Sequence, residues 1–68
     1  MHNLAVVKHA HTFRRPASNA GWRKQMVIAV DTLVEWADAG ATRITGFEIR
    51  RSAVEDRTAT LTVYGLQG

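Results

Sequence analysis

Basic side chains are concentrated around the predicted start of a helix, where they could bind an anion. Arg14 and Arg15 precede this helix, and Arg23 and Lys24 lie in its first turns. Their position opposes the helix dipole, which favours acidic side chains near the N-terminus. Cations beside the unsatisfied N–H groups of a helix start would bind phosphate, nucleic acid or an acidic protein surface. A solvated basic loop followed by ordinary surface charges gives the same pattern, so both interpretations stay open.

Metal binding and catalysis have weaker support in the sequence. His9 and His11 lie two residues apart in a predicted strand and could place two imidazoles on one metal. A metal site needs three or four ligands, and no matching cluster of ligands occurs elsewhere, so we predict no metal or other cofactor. The sequence has no glycine-rich phosphate loop and no nucleophile paired with a base. The adjacent carboxylates Glu55 and Asp56 lie in a predicted turn, and we predict that the chain is not an enzyme.

The composition indicates one small folded domain over residues 1–68. Hydrophobic residues make up 46% of the chain and charged residues 22%, which is typical of globular proteins. A single core of this size supplies only about 3 to 5 kcal/mol, and the absence of cysteine excludes disulfides. We therefore expect a homo-oligomer. The longest apolar run, residues 26–30, is far shorter than the ~20 residues that span a membrane, so we expect a soluble, cytoplasmic protein.

The order of elements predicts an α+β fold of β-α-β-β type. We expect a strand over Leu4 to Phe13, a helix from Ser18 or Asn19 to Ala39, and a left-handed C′ residue at Gly40. Two strands, Thr42 to Arg51 and Thr58 to Leu66, would form a C-terminal antiparallel hairpin through a turn at Ser52 to Arg57. Gly46 is the expected site of a β-bulge. The amphipathic helix would cover one face of this three-stranded sheet.

The opposite face of the sheet is expected to be open and to carry threonines, Tyr64 and the histidines of the first strand. Alternation places Ala59, Leu61 and Val63 on the core face of the last strand. We predict that Ile28, Trp36 and Tyr64 contribute to an interface between chains, since Ile28 lies among polar helix positions and buried tryptophan is enriched at binding hot spots.

These features favour a small, non-enzymatic binding or regulatory protein. The net charge of +3 and a sequence pI near 10.2 mildly favour an anionic partner, which we expect to be nucleic acid or a nucleoprotein complex. A compact accessory or inhibitor protein of a phage or mobile element would suit this size. A structural module for protein interaction is a further alternative.

The predicted order of elements and the chain length are similar to those of the dodecins, small flavin-storing proteins that assemble into hollow dodecamers. The spacing of Ser18 and Trp22 at the helix start resembles theirs. The helix is longer and the hairpin shorter than in that family, so the resemblance assigns no flavin-binding residue here. It implies a second function: a homo-oligomer that holds a small molecule of flavin type between subunits.

Overall fold

A computed structural model describes residues 3–52 and 57–68 of the chain. It contains strand β1 (Ala5–Arg14), helix α1 (Asn19–Ala39), strand β2 (Arg43–Arg51) and strand β3 (Thr58–Gln67). The predicted α+β fold and its β-α-β-β order are confirmed. The centre of the predicted hairpin turn, including Glu55 and Asp56, lies outside the described residues.

The three strands form one sheet in the order β1-β3-β2, and β3 is antiparallel to both neighbours. Consequently β1 and β2 run in the same direction at the two edges, and both end at the same end of the sheet. Helix α1 makes the connection between them, and its start also lies at that end. The predicted bulge is confirmed, because the pairing of β2 with β3 shifts between Ile44 and Gly46. This shift lets Ile44 pack against the core although it is three residues from Phe47.

Helix α1 begins and ends where local polar contacts satisfy its backbone. Ser18 is the N-cap, and its Oγ accepts a hydrogen bond from the Gly21 N–H at 3.0 Å. The prediction of a left-handed Gly40 is wrong: Gly40 has φ −93°, and Ala41 takes the left-handed conformation with φ 50°. The Gln67 side chain holds this end of the helix by donating to the Gly40 carbonyl at 2.7 Å. A Cβ on Gly40 would lie 2.7 Å from the same amide nitrogen, so a side chain at this position would displace the Gln67 amide.

The core lies between α1, β1 and β3. Its buried side chains come from the helix, from the end of β1 and from one face of β3, as alternation predicted for the last strand: Phe13, Ala29, Leu33, Ala37, Ala59, Leu61 and Val63. Helix α1 packs mainly on β1 and β3. It therefore covers less of the sheet than expected, and Phe47 and Ile49 of β2 remain 46% and 42% exposed on the helix side. No helix in the described part of the chain is long and apolar enough to cross a membrane.

Candidate anion-binding site

Three chain segments meet at the end of the sheet where α1 begins. Arg15 follows β1, Arg51 is the last residue of β2, and Arg57 precedes β3. The Arg15 N–H donates to the Arg57 carbonyl, so the backbones at these two positions are held together. Three arginines that are distant in sequence are thereby brought to one end of the molecule, and we call them the arginine cluster.

The arginine cluster borders two adjoining surface depressions. One, of about 170 Å³, is lined by Arg15, Arg51, Trp22 and the segment 16–19. The other, of about 370 Å³, is lined by Arg15, Arg57, Pro16 and Ala17. No carboxylate from the described residues lines either depression. Among the residues that the structure describes, the charged side chains that line the two depressions are all basic.

Arg51 is held in place by aromatic packing. Its guanidinium carbon lies 5.1 Å from the centroid of the Trp22 ring. Trp22 in turn packs against the buried Phe13, with ring centroids 5.6 Å apart and planes inclined by 50°. A guanidinium that stacks on an aromatic face retains its in-plane N–H donors for a phosphate or carboxylate. The core of the domain thus positions one cation of the cluster.

The start of α1 adds to the positive potential of this region. Its first turn contains no acidic residue. Gly21 donates to the Ser18 side chain and Trp22 to the Ser18 carbonyl, whereas helix geometry gives the N–H groups of Asn19 and Ala20 no acceptor within the helix. Asn19 also lines the smaller depression. The N–H groups at the helix start and the arginine cluster would both attract an anion to the smaller depression.

Of the four cations predicted from the sequence, the structure places Arg15 in this concave surface. Arg14, Arg23 and Lys24 are exposed but do not line either depression. Sequence reasoning assigned Arg51 and Arg57 to the hairpin and missed that they join Arg15. The available signal was that β1 and β2 both end near an Arg-Arg pair, at 14–15 and 50–51, and that two parallel edge strands end at the same end of the sheet.

The open face of the sheet is a second concave surface, of about 500 Å³, lined by polar side chains of all three strands: Lys8, Glu48, Arg50, Thr60, Thr62 and Tyr64. The Tyr64 hydroxyl donates to Glu48 Oε1 at 3.2 Å. Desolvation and the neighbouring Glu48 carboxylate raise the pKa of Tyr64 above its usual value, and Arg50 partly opposes them. Thr12 and Thr60 share a hydrogen bond of 2.9 Å between their hydroxyl oxygens.

His9 is among the residues that line this concave surface, but the rings of the β1 histidines stack on the helix side, contrary to expectation. His9 stacks on Trp36 of α1, with ring centroids 4.8 Å apart and planes inclined by 17°. His11 stacks on Phe13 at 6.3 Å. Both imidazoles therefore face the helix layer, and the described residues contain no group of three metal-binding side chains.

The three residues predicted for an interface lie on different surfaces. Ile28 is 44% exposed on α1. Trp36 is half-buried against His9, and Tyr64 is half-buried on the open face of the sheet. They do not form one patch, and their role in an interface stays a prediction.

Comparison of the chain with protein-family models, with curated proteins and with solved structures finds no match.

Proposed function

We propose that this chain is a small, self-associating binding protein that engages the phosphate groups of a nucleic acid through Arg15, Arg51 and Arg57. The observation that carries the proposal is the convergence of these three arginines on one concave surface without a described carboxylate. Phosphate is a suitable anion because guanidinium groups bind its oxygens in bidentate geometry. Arg23 and Lys24 would add charge around the site.

Self-association is supported by the small core and by the apolar surface that remains outside it. Leu33 and Val63 are the largest side chains that are fully buried. Large apolar side chains remain exposed on β1, α1 and β2: Leu4, Val6, Val27, Ile28, Phe47 and Ile49. Burial between copies would supply the stability that a core of this size lacks.

Replacement of Arg51 by leucine tests the nucleic-acid proposal. Leucine keeps an apolar cover on Trp22 and removes the guanidinium, so affinity for a fluorescently labelled 20-nucleotide strand should fall about tenfold or more. The slope of log affinity against log salt should also become shallower by about one, as expected for the loss of a phosphate contact. Fluorescence anisotropy at several salt concentrations gives both quantities.

The matched control is Arg43→Leu, which makes the same change at the opposite end of the same strand. It should leave affinity within about twofold of the unmodified protein, because the site would lie at the other end of β2. Equal effects of the two substitutions, or a lack of binding by the unmodified protein, would contradict the proposal.

The second candidate function is the binding of a small molecule between subunits, and the open sheet face favours it. The size of this concave surface, about 500 Å³, lies within the range of ligand pockets, and its lining offers cations, hydroxyls and the Tyr64 ring. A chromophoric ligand such as a flavin would absorb above 300 nm, so the absorption spectrum of the purified protein tests this candidate. A spectrum with protein absorbance alone would contradict the retention of such a ligand.

A further inference from the structure

Strand β2 is an edge of the sheet whose middle part α1 leaves largely uncovered. At the other edge, Trp22 and Trp36 of the helix pack on the rings of β1. On β2, by contrast, Phe47 and Ile49 face the helix side and remain nearly half exposed. An uncovered edge strand with apolar side chains on one face is a template for pairing with another strand.

The hydrogen bonds between β2 and β3 identify which backbone groups of β2 point outward. Ser52 lies opposite Thr58, and its N–H donates to the Thr58 carbonyl at 3.0 Å. Hydrogen-bonded and non-hydrogen-bonded positions alternate in an antiparallel ladder. Arg50 and Glu48 therefore also direct their backbone groups toward β3. The backbone N–H and C=O groups of the intervening residues point away from β3, toward the free edge of the sheet. These residues are Phe47, Ile49 and Arg51.

Self-complementary charges on β2 indicate the occupant of this edge. Glu48 and Arg50 lie two residues apart on the open face, with Ile49 between them on the helix side. A two-fold axis through Ile49 would place each Glu48 opposite the partner's Arg50 and the two Ile49 side chains opposite each other. An axis through Glu48 or Arg50 would instead bring like charges directly opposite, which is destabilising.

We propose that two copies of this chain pair through antiparallel β2 edges, with Ile49 on the two-fold axis, to form a continuous six-stranded sheet. This register pairs the outward backbone groups of Phe47, Ile49 and Arg51 with those of the partner's Arg51, Ile49 and Phe47. The pairing between the two β2 strands would end at Gly46, where the β-bulge begins. The inference specifies the surface for the self-association proposed above and rests on it.

Exchange of the two charges tests this register. Glu48→Arg and Arg50→Glu each place like charges opposite one another twice in the dimer, so each should raise the dimer dissociation constant about tenfold or more. The double variant Glu48→Arg/Arg50→Glu restores opposite charges and should return the constant to within about threefold of the unmodified protein. Sedimentation analysis over a range of concentrations measures the constant, and circular dichroism verifies that each variant is folded.

The charge reversal Lys8→Glu is the control, because Lys8 lies on the same face but on the opposite edge strand. It should leave the dissociation constant unchanged. A monomeric unmodified protein would overturn both the self-association and this interface. An oligomer that is insensitive to the single reversals, or that the double exchange does not restore, would overturn the interface alone.

Single cysteines provide a test that does not depend on charge, since the chain has no cysteine of its own. Ile49→Cys should yield a covalent dimer with a short thiol cross-linker, because directly opposed residues have Cβ atoms about 5 Å apart. Ala10→Cys, on the edge strand β1, should remain uncross-linked at the same protein concentration. The reverse result would overturn the assignment of the β2 edge.

Discussion

Leu33 and Val63 are the largest fully buried side chains, and they come from the two layers of the core. Truncation of Leu33 removes buried apolar contacts and leaves a cavity. We predict that Leu33→Ala lowers the free energy of unfolding by roughly 2 to 5 kcal/mol, measured by chemical denaturation at a fixed protein concentration. Val27→Ala is the control, because Val27 is 60% exposed on the helix, and it should cost about 1 kcal/mol or less. Equal costs would show that α1 does not pack as described.

Individual residues differ in how far the sequence determined their placement. Alternation correctly predicted the buried face of β3 because Ala59, Leu61 and Val63 alternate with polar residues. In β1 both alternating sets contain apolar and polar side chains, so periodicity could not choose the inner face. The inner face is the one that places Phe13 in the core against Trp22 and His9 against Trp36. Contacts of this kind join residues that are distant in the sequence, so the local pattern of apolar and polar residues does not reveal them.

At the scale of the helix, the cations of its first turns oppose the helix dipole, so we do not expect them to stabilise the helix. We predict that Arg23→Glu/Lys24→Glu leaves the thermal midpoint unchanged or raises it, because acidic side chains at a helix start gain a few tenths of a kcal/mol each. Affinity for the labelled strand should fall, because the charge around the arginine cluster is reversed. Calorimetry and fluorescence anisotropy measure the two effects. Binding that persists in this variant at several hundred millimolar salt would contradict the anion site.

The sequence predicted the first and last residues of α1 better than it predicted the backbone conformation just after the helix. Local sequence predicted a helix start at Ser18 or Asn19 and a last residue at Ala39, and the structure has Ser18 as the N-cap and Ala39 as the last residue. The left-handed residue did not: it is Ala41 and not Gly40, and the Gly40 carbonyl accepts a hydrogen bond from Gln67 of the last strand, a contact that the local sequence does not show. The arginine cluster was missed for a similar reason: its members are neighbours only because β1 and β2 end at the same end of the sheet.

The whole molecule is long and thin for its chain length. Its Cα atoms extend over 49 × 21 × 13 Å with a radius of gyration of 13.7 Å, whereas a compact domain of this length has about 11 Å. Length and composition predicted a marginal core but gave no sign of this shape, because it depends on how much of the sheet the helix covers. The part of β2 that the helix leaves uncovered contributes Phe47 and Ile49 to the exposed apolar surface.

Self-association has a consequence for thermal stability that tests it directly. If folded chains associate and unfolded chains do not, the thermal midpoint should rise by several degrees between about 5 and 500 μM protein. Light scattering over the same range should give a mass well above the 7.5 kDa of one chain. A constant midpoint together with a 7.5 kDa mass would contradict the proposal.

The two tryptophans provide optical probes for the two ends of the helix. Trp22 lies near the start of α1 against Phe13, and Trp36 lies near its end against His9. Since both rings pack on the same strand, emission from variants that retain one tryptophan would report separately on each end of the helix–strand contact. Time-resolved fluorescence could therefore reveal whether α1 separates from β1 as a rigid rod or peels away from one end, without any attached dye.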